Sequence, residues 1–379
     1  YKGEYLGMSV NKIDEQDRLA LRQALYNDND DIYYSVINTY IDKYGALSQD
    51  EIDKMLFACI ERNLSKGCQR TLDLGANPNR SFKLKGQDEK NRTSFLSYAI
   101  SKDKNNVIIP MIEKYWENIQ KQFNQEMDEQ QRRELVDHAN ARIDGFDAIA
   151  NSFNCGLETY KKIIDKCCEI VESKEFYEIN KKVGKTTMHF KNGTQKTLSQ
   201  KDIKELFLFE QLTTIAITLI EHTDLTTNTT TINEKSIDMI RQKAEYIFSK
   251  GLDINKCYNH DALKFFLDID AEEYANDNLI MSLVKYFFET IVRDKEQTSL
   301  EFDDRCGDSV LIDAVLNLKG NEINFDARDF DKLTLTDILD KQISSMDKNN
   351  MTKDEEFIIA LREKIQALIN EQMNNQNKE

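Results

Sequence analysis

The chain is short of several things, and each shortage excludes something. Two prolines and thirteen glycines in 379 residues leave few breaks, which excludes collagen-like and low-complexity chains and favours long regular elements. No apolar run approaches the roughly eighteen residues needed to cross a bilayer, so no membrane insertion is expected. Basic residues are outnumbered, with 51 Lys and Arg against 67 Asp and Glu and a net charge of −16. Acids and bases also interleave along the chain, so no nucleic-acid partner is expected. The four histidines, His138, His189, His222 and His260, offer few candidates for general-base catalysis. The seven cysteines, Cys59, Cys68, Cys155, Cys167, Cys168, Cys257 and Cys306, are odd in number and form no zinc-type CxxC pair. They read as reduced thiols in a reducing compartment.

Nothing at the start resembles the apolar core of a signal peptide, and the opening YKGEYLG before Met8 is expected to be an expression remnant. Asn-x-Ser/Thr triplets occur at Asn63, Asn91, Asn192, Asn228 and Asn350. A chain rich in Asn, Lys, Ile and Thr produces them by composition alone.

What is present is punctuation in particular places. "CIERNLSKGCQRTLDLGANPN" (59–79) reads as a helix, a break, a second helix and a turn containing Gly75 and Pro78. The same order recurs in 19–46, in "GFDAIANSFNCGLETYKKIID" (145–165), in 244–255 combined with 261–269, and from Gly307. A weaker copy spans 91–115. The spacing is near thirty residues, a period that points to stacked repeats.

These segments resemble ankyrin repeats. Gly307, Ser309, Leu311, Ala314 and Val315 occupy the Gly, Thr, Leu and double-Ala positions of that family's first helix, and Leu72, Gly75, Ala76, Pro78 and Asn79 fill its ending. The resemblance implies an all-α, ankyrin-type helical solenoid of roughly seven irregular repeats. Small residues such as Ala58, Cys59, Ala99 and Ala314 would let inner helices stack closely, with Leu, Ile and Val filling the layer between repeats. Gly75 and Gly251 would supply the left-handed residue that ends the second helix. Residues 1–16 form an N-terminal segment, 17–340 the degenerate array, and 341–379 a C-terminal capping helix and tail.

Three insertions depart from the frame. Near 116–141 a polar helical stretch lengthens or adds an outer helix. Near 171–201 an Asn-Gly turn between alternating Thr-rich runs predicts a small β-hairpin over 183–198, the sole sheet expected. Residues 223–234 read as a polar loop. At the C-terminus, Phe357, Ile358, Leu361, Ile365, Leu368 and Ile369 recur at helical spacing, as a cap on an open stack would require.

Chemical motifs are sparse. "VGKTT" (183–187) has the tail of a phosphate-binding loop but lacks its first glycine, so a nucleotide site is rejected. Cys257 and His260 read as a finger cysteine and a turn histidine, with no orienting acid beside them. Asp28, Asp30 and Asp31 follow no calcium-loop spacing and are expected to cap the second helix of the first repeat. No cofactor, metal or catalytic residue is expected.

Two function classes remain. The resemblance implies a non-enzymatic scaffold that binds a partner protein through a concave face; the alternative is a transferase or hydrolase with its catalytic residues in the insertions. In an ankyrin stack, residues just before each inner helix face the groove. Here these are Phe82, Lys85, Arg92, Arg142, Phe146, Tyr258, Lys264 and Arg305, which alternate aromatic and basic types. They would suit an acidic partner surface. The Asn, Lys and Ile bias together with degenerate repeats resembles effectors that intracellular bacteria deliver into eukaryotic cells. That resemblance implies a monomer acting on a host protein in the host cytoplasm.

Overall fold

The computed structural model describes residues 15–26, 29–45, 47–83, 92–124, 155–182, 187–189, 195–215, 234–256, 278–296, 305–329, 331–346 and 353–376. Most of these residues are helical. The chain divides into two compact units, Tyr1–Ile179 and Asn180–Glu379.

The first unit contains α1 (Glu15–Tyr26), α2 (Asp30–Tyr44), α3 (Gln49–Arg62), α4 (Ser65–Asp73), β1 (Ser81–Lys83), β2 (Arg92–Ser94), α5 (Phe95–Ser101), α6 (Ile108–Asn124) and α7 (Leu157–Val171), and α8 (Lys174–Lys182) crosses the boundary. Helix boundaries follow side-chain chemistry. Ser48 and Glu51 form a capping box at the start of α3, and Asn63 ends it with φ 56°. α1 packs on α2, α3 on α4 and α5 on α6, while α2 packs on α4, α4 on α6 and α6 on α7. α6 runs on past Trp116 to Asn124; the rest of the expected insertion near 116–141 falls in residues 125–154, which lie outside the described residues.

Close packing of these pairs relies on small groups. Cys59 and Ala99 are fully buried. At Gly67, a Cβ would lie 2.6 Å from Tyr33 Cδ1, so only glycine lets α4 approach α2 at that point. Successive pairs are also tied through their turns. Asn63 Oδ1 accepts from the Asn106 amide at 3.0 Å, and Asp103 Oδ1 from the Gly156 amide at 3.2 Å. These side chains satisfy amides at or just before the start of the next pair's second helix, where no intrahelical acceptor exists.

One capping expectation is corrected here. Asn29, not an aspartate, caps α2, its Oδ1 accepting from the Ile32 amide at 3.0 Å. Asp30 instead accepts from the Lys66 and Gly67 amides of α4, at 2.7 and 2.8 Å. Sequence proximity suggested the local helix; packing of α2 on α4 brings a needier set of amides within reach. Asp28 lies outside the described residues.

The second unit contains β3 (Thr187–His189), β4 (Gln195–Thr197), α9 (Gln200–Ile215), α10 (Glu234–Ser249), α11 (Leu279–Glu296), α12 (Arg305–Lys319), a 3-10 turn (Gly320–Glu322), α13 (Leu335–Ser344) and α14 (Lys353–Gln376). α9 packs on α10, α11 on α12 and α13 on α14, and α12 lies between α10 and α14. This overturns one alignment. The segment from Gly307 fits a first helix by residue type, yet α12 packs on α10 as the second helix of its pair. The two are followed by the matching ends KGLDIN (250–255) and KGNEIN (319–324). Ala314 is fully buried as expected, but in second-helix contacts. Small and aliphatic residues fit either helix of a pair, so composition did not separate them.

The expected hairpin is present: β3 pairs antiparallel with β4, Met188 opposite Lys196. It is not the sole sheet, because β1 pairs antiparallel with β2, Phe82 opposite Thr93. Three-residue strands are too short for alternation to be read from sequence. The pairing satisfies backbone groups in the long connection from α4 to α5 and sets Phe82 against the helices. The loop near 223–234 falls almost wholly outside the described residues.

Helix α14 turns an apolar stripe inward, as the amphipathic spacing predicts. Ile358, Leu361 and Ile365 are buried, and Leu368 lies so close to Gly320 that a Cβ there would come within 2.9 Å of it. Gln372 Nε2 donates to the carbonyls of Gly320 and Ile323, each at 3.0 Å, and Arg362 grips Asp340 with two contacts of 2.8 and 3.1 Å. Ile365→Ala is therefore expected to lower unfolding stability by about 2–4 kcal/mol, the usual cost of emptying a buried aliphatic site. Urea denaturation followed by helical circular dichroism checks this, and an unchanged midpoint would remove α14 from the core.

Candidate interaction surface

Two second helices, α4 in the first unit and α10 in the second, end alike. Gly75 and Gly251 adopt φ of +102° and +97°, a region that L side chains resist. Two residues on, Asn77 Oδ1 accepts from the Asn79 amide at 3.0 Å and Asp253 Oδ1 from the Asn255 amide at 2.9 Å. Between them the buried Pro78 and Ile254 offer their carbonyls to the next first helix, accepting from Leu96 N at 2.9 Å and Leu279 N at 3.2 Å. In the second unit, Asn255 also donates to the Glu322 carbonyl and accepts from the Asn324 amide, both at 2.6 Å. The exit turn thus fixes where each following helix begins.

In the first unit this turn delivers the chain into the β1–β2 hairpin. Phe82, on β1, stacks on Phe95 with ring centroids 4.6 Å apart and meets Phe57 and Tyr98 edge-on at 5.4 and 5.5 Å. Offset and edge-to-face rings of this kind hold one another in fixed orientation. The Tyr98 hydroxyl donates to Glu61 at 2.7 Å, and Lys102 lies 5.8 Å over the Tyr98 ring. Arg80 pairs with Asp53 at 2.6 Å while half of its side chain stays exposed. The outcome is an aromatic platform whose half-buried outer ring is Phe82, with Arg80 held by Asp53 and Lys102 over Tyr98. Such a surface can accept an apolar side chain.

Of the expected surface residues, Phe82 alone has its side chain placed, and much of that ring is spent on the cluster. Arg92 lies in β2 opposite Lys83, and Arg305 opens α12, the second helix of its pair rather than a first. Their side chains, and Lys85, Arg142, Phe146, Tyr258 and Lys264 entirely, lie outside the described residues. Phe57, Glu61, Arg80 and Tyr98 were missed. The i, i+4 spacing of Phe57 and Glu61 on a helical pattern was the available signal.

Titratable groups elsewhere are structural in character. Burial pushes the Cys59 thiol up to about 12, with hydrogen bonds to Thr71 and Tyr33 offsetting part of the rise. Burial likewise raises Cys68 and Cys167. Thiols so placed stay protonated and unreactive near neutrality. Burial raises the Asp202 carboxyl, but hydrogen bonds from Lys256 and Ser199 outweigh it and hold the group well below the usual carboxylate range. Lys256 meets Asp202 at 2.6 Å and also contacts Glu205, which is almost fully buried. Among the described residues, no group of three or more His, Cys, Asp or Glu is placed to hold a metal. No helix among them is long and apolar enough to cross a membrane. No family model matches the chain, and no curated protein matches it.

Proposed function

We propose that the chain is an ankyrin-type repeat protein that works as a protein–protein interaction scaffold, binding a partner through the concave side of its stacked helices. The observation that carries this reading is the shared exit turn. In both units a left-handed glycine, an Asn or Asp side-chain turn and a buried carbonyl hand the chain to the next first helix. A construction reused in this way makes rows of like helices and leaves the hairpin side free to carry recognition residues. The β1–β2 platform around Phe82 is the described part of that side. Its basic neighbours favour an acidic partner surface. In line with the compositional resemblance, the partner is a host protein and the chain a monomeric bacterial effector in the cytoplasm of a eukaryotic cell.

Capture from a eukaryotic lysate on the intact chain, with identification by mass spectrometry, supplies the partner. Alanine at Phe82, Tyr258 and Arg305 together is then expected to weaken its binding more than tenfold, as loss of aromatic and Arg anchors does. Alanine at Glu158, exposed on α7, and at the half-buried Lys161 beside it should change binding little. Because Phe82 also packs, melting is measured on each variant. Equal binding by both sets, at equal stability, would eliminate the concave surface as the recognition element.

A further inference from the structure

The third residue after the N-cap is Gly67 in α4, Thr159 in α7 and Ile32 in α2. Gly67 and Thr159 are buried, and each of their helices packs on an earlier one, α4 on α2 and α7 on α6. Gly67 meets the Tyr33 ring of α2. Ile32 holds the same place in the first described pair, yet it is 44% exposed. Helix α1 shows a matching exposure. Gln16, Leu19, Ala20 and Gln23 are exposed at helical spacing. Counted back from the same two caps, Ala20 and Gln23 correspond to Met55 and Ala58 of α3, which are buried. The first pair thus shows solvent a face that the second pair buries. None of Gln16, Leu19, Ala20, Gln23 and Ile32 is charged, in a chain with 31% charged residues.

We propose, resting on the scaffold reading above, that this face docks a helix of a partner protein, one that presents small, uncharged residues at the contact. The docking continues an interface that the chain already uses, since α4 lies on α2 at the same place. Size complementarity fixes the chemistry. Between α2 and α4 the bulk comes from Tyr33 and the space from Gly67, where a Cβ would lie 2.6 Å from Tyr33 Cδ1. At the open face the bulk is Ile32 instead, so the incoming helix must supply the space, with Gly, Ala or Ser opposite it. Covering Leu19 and Ile32 removes apolar surface from water and supplies the attraction. A second copy of the chain is the less suitable occupant. A net charge of −16 on each molecule opposes self-association, while a less acidic partner meets less repulsion.

The test tethers a probe helix to the full chain. A second copy of residues 29–45, the segment that holds α2, is fused ahead of Tyr1 through a flexible Gly/Ser linker of about twenty residues, which keeps it near millimolar effective concentration. With Tyr33→Ala in the tethered copy, the melting temperature should rise by about 3–6 °C over the unfused chain, as for a site supplied at about ten times its dissociation constant. The unaltered copy, with Tyr33, should give no rise. Ile32→Gly in the host should reverse that order, each fusion being compared with its own unfused host. Phe82→Ala in the host should leave the rise unchanged, so failure of the aromatic platform and failure of this face are read separately. No rise with the Tyr33→Ala copy, an equal rise with both copies, or an order that Ile32→Gly does not reverse would overturn the proposal. So would a dimer in sedimentation velocity that Ile32→Glu abolishes, which would assign the face to a second copy.

Discussion

Replacing Cys59 or Ala314 with arginine is expected to lower stability by about 3–5 kcal/mol, among the largest effects a single substitution produces here. Both sites are fully buried and neither has room. Cys59 Sγ would lie 3.1 Å from a Cβ placed on Gly67 and is 3.8 Å from Thr71 Oγ1, so it fills a space bounded by α4. Ala314 lies on α12, between helices that pack against it on two sides. A guanidinium at either position must be buried without a partner or force the helices apart. The melting temperature should fall by about 6–20 °C, given about 2–4 °C per kcal/mol for units of this size. Gln23→Arg on the exposed face of α1 is the control and should shift stability by less than about 0.5 kcal/mol. Unchanged melting in both buried-site variants would mean that the helix pairs do not pack as described.

The second large effect is expected at Lys256. Its ammonium joins Asp202 and Glu205, and Glu205 is only 3% exposed in its side chain. Lys256→Met removes the cation and leaves the nearly buried carboxylate without its main partner. A cost of about 2–4 kcal/mol follows, somewhat under the full value for a completely buried pair because Lys256 is 29% exposed. Adding Glu205→Gln and Asp202→Asn to Lys256→Met should recover most of the loss, since the unpaired charge then disappears. A triple variant no more stable than the single one would show that the cluster acts through packing instead. The pH dependence has a definite sign. The folded Asp202 carboxyl is depressed, so its contribution is present above about pH 4 and is lost as pH falls toward the folded value. Burial lowers Lys256, but its bonds to Asp202 and Glu205 raise it above its ordinary value. Its contribution is therefore full below about pH 10 and is lost as pH climbs through the raised value. Denaturation midpoints of wild type and Lys256→Met should differ most between these limits.

Some readings depended only on local chemistry, and these were legible. The break after α3, the glycines that turn the chain at 75 and 251, the β3–β4 hairpin and the apolar stripe of α14 each rest on residues a few positions apart. Readings that required knowing which helix lies beside which failed. Asp30 looked like a cap for α2 until packing placed the α4 amides beside it. The Gly307 segment fitted a first helix by residue type, and its neighbours made it a second. The aromatic platform joins Phe57, Phe82, Phe95 and Tyr98 from three elements, and no spacing rule unites them.

The sequence by itself determined that the chain is helical, that it is punctuated at particular glycines, and that its core positions are Ala, Cys, Leu, Ile and Val at helical spacing. Those properties follow from backbone preference and from period, which act over one or two turns of chain. Tertiary structure alone decided the pairing order of the helices, the amides that each turn side chain satisfies and the ring contacts that make the β1–β2 surface rigid. The physical reason is that a polar side chain or an aromatic ring has many acceptable partners of similar energy. The choice among them is made by whatever the packed backbone brings within about 3 to 5 Å.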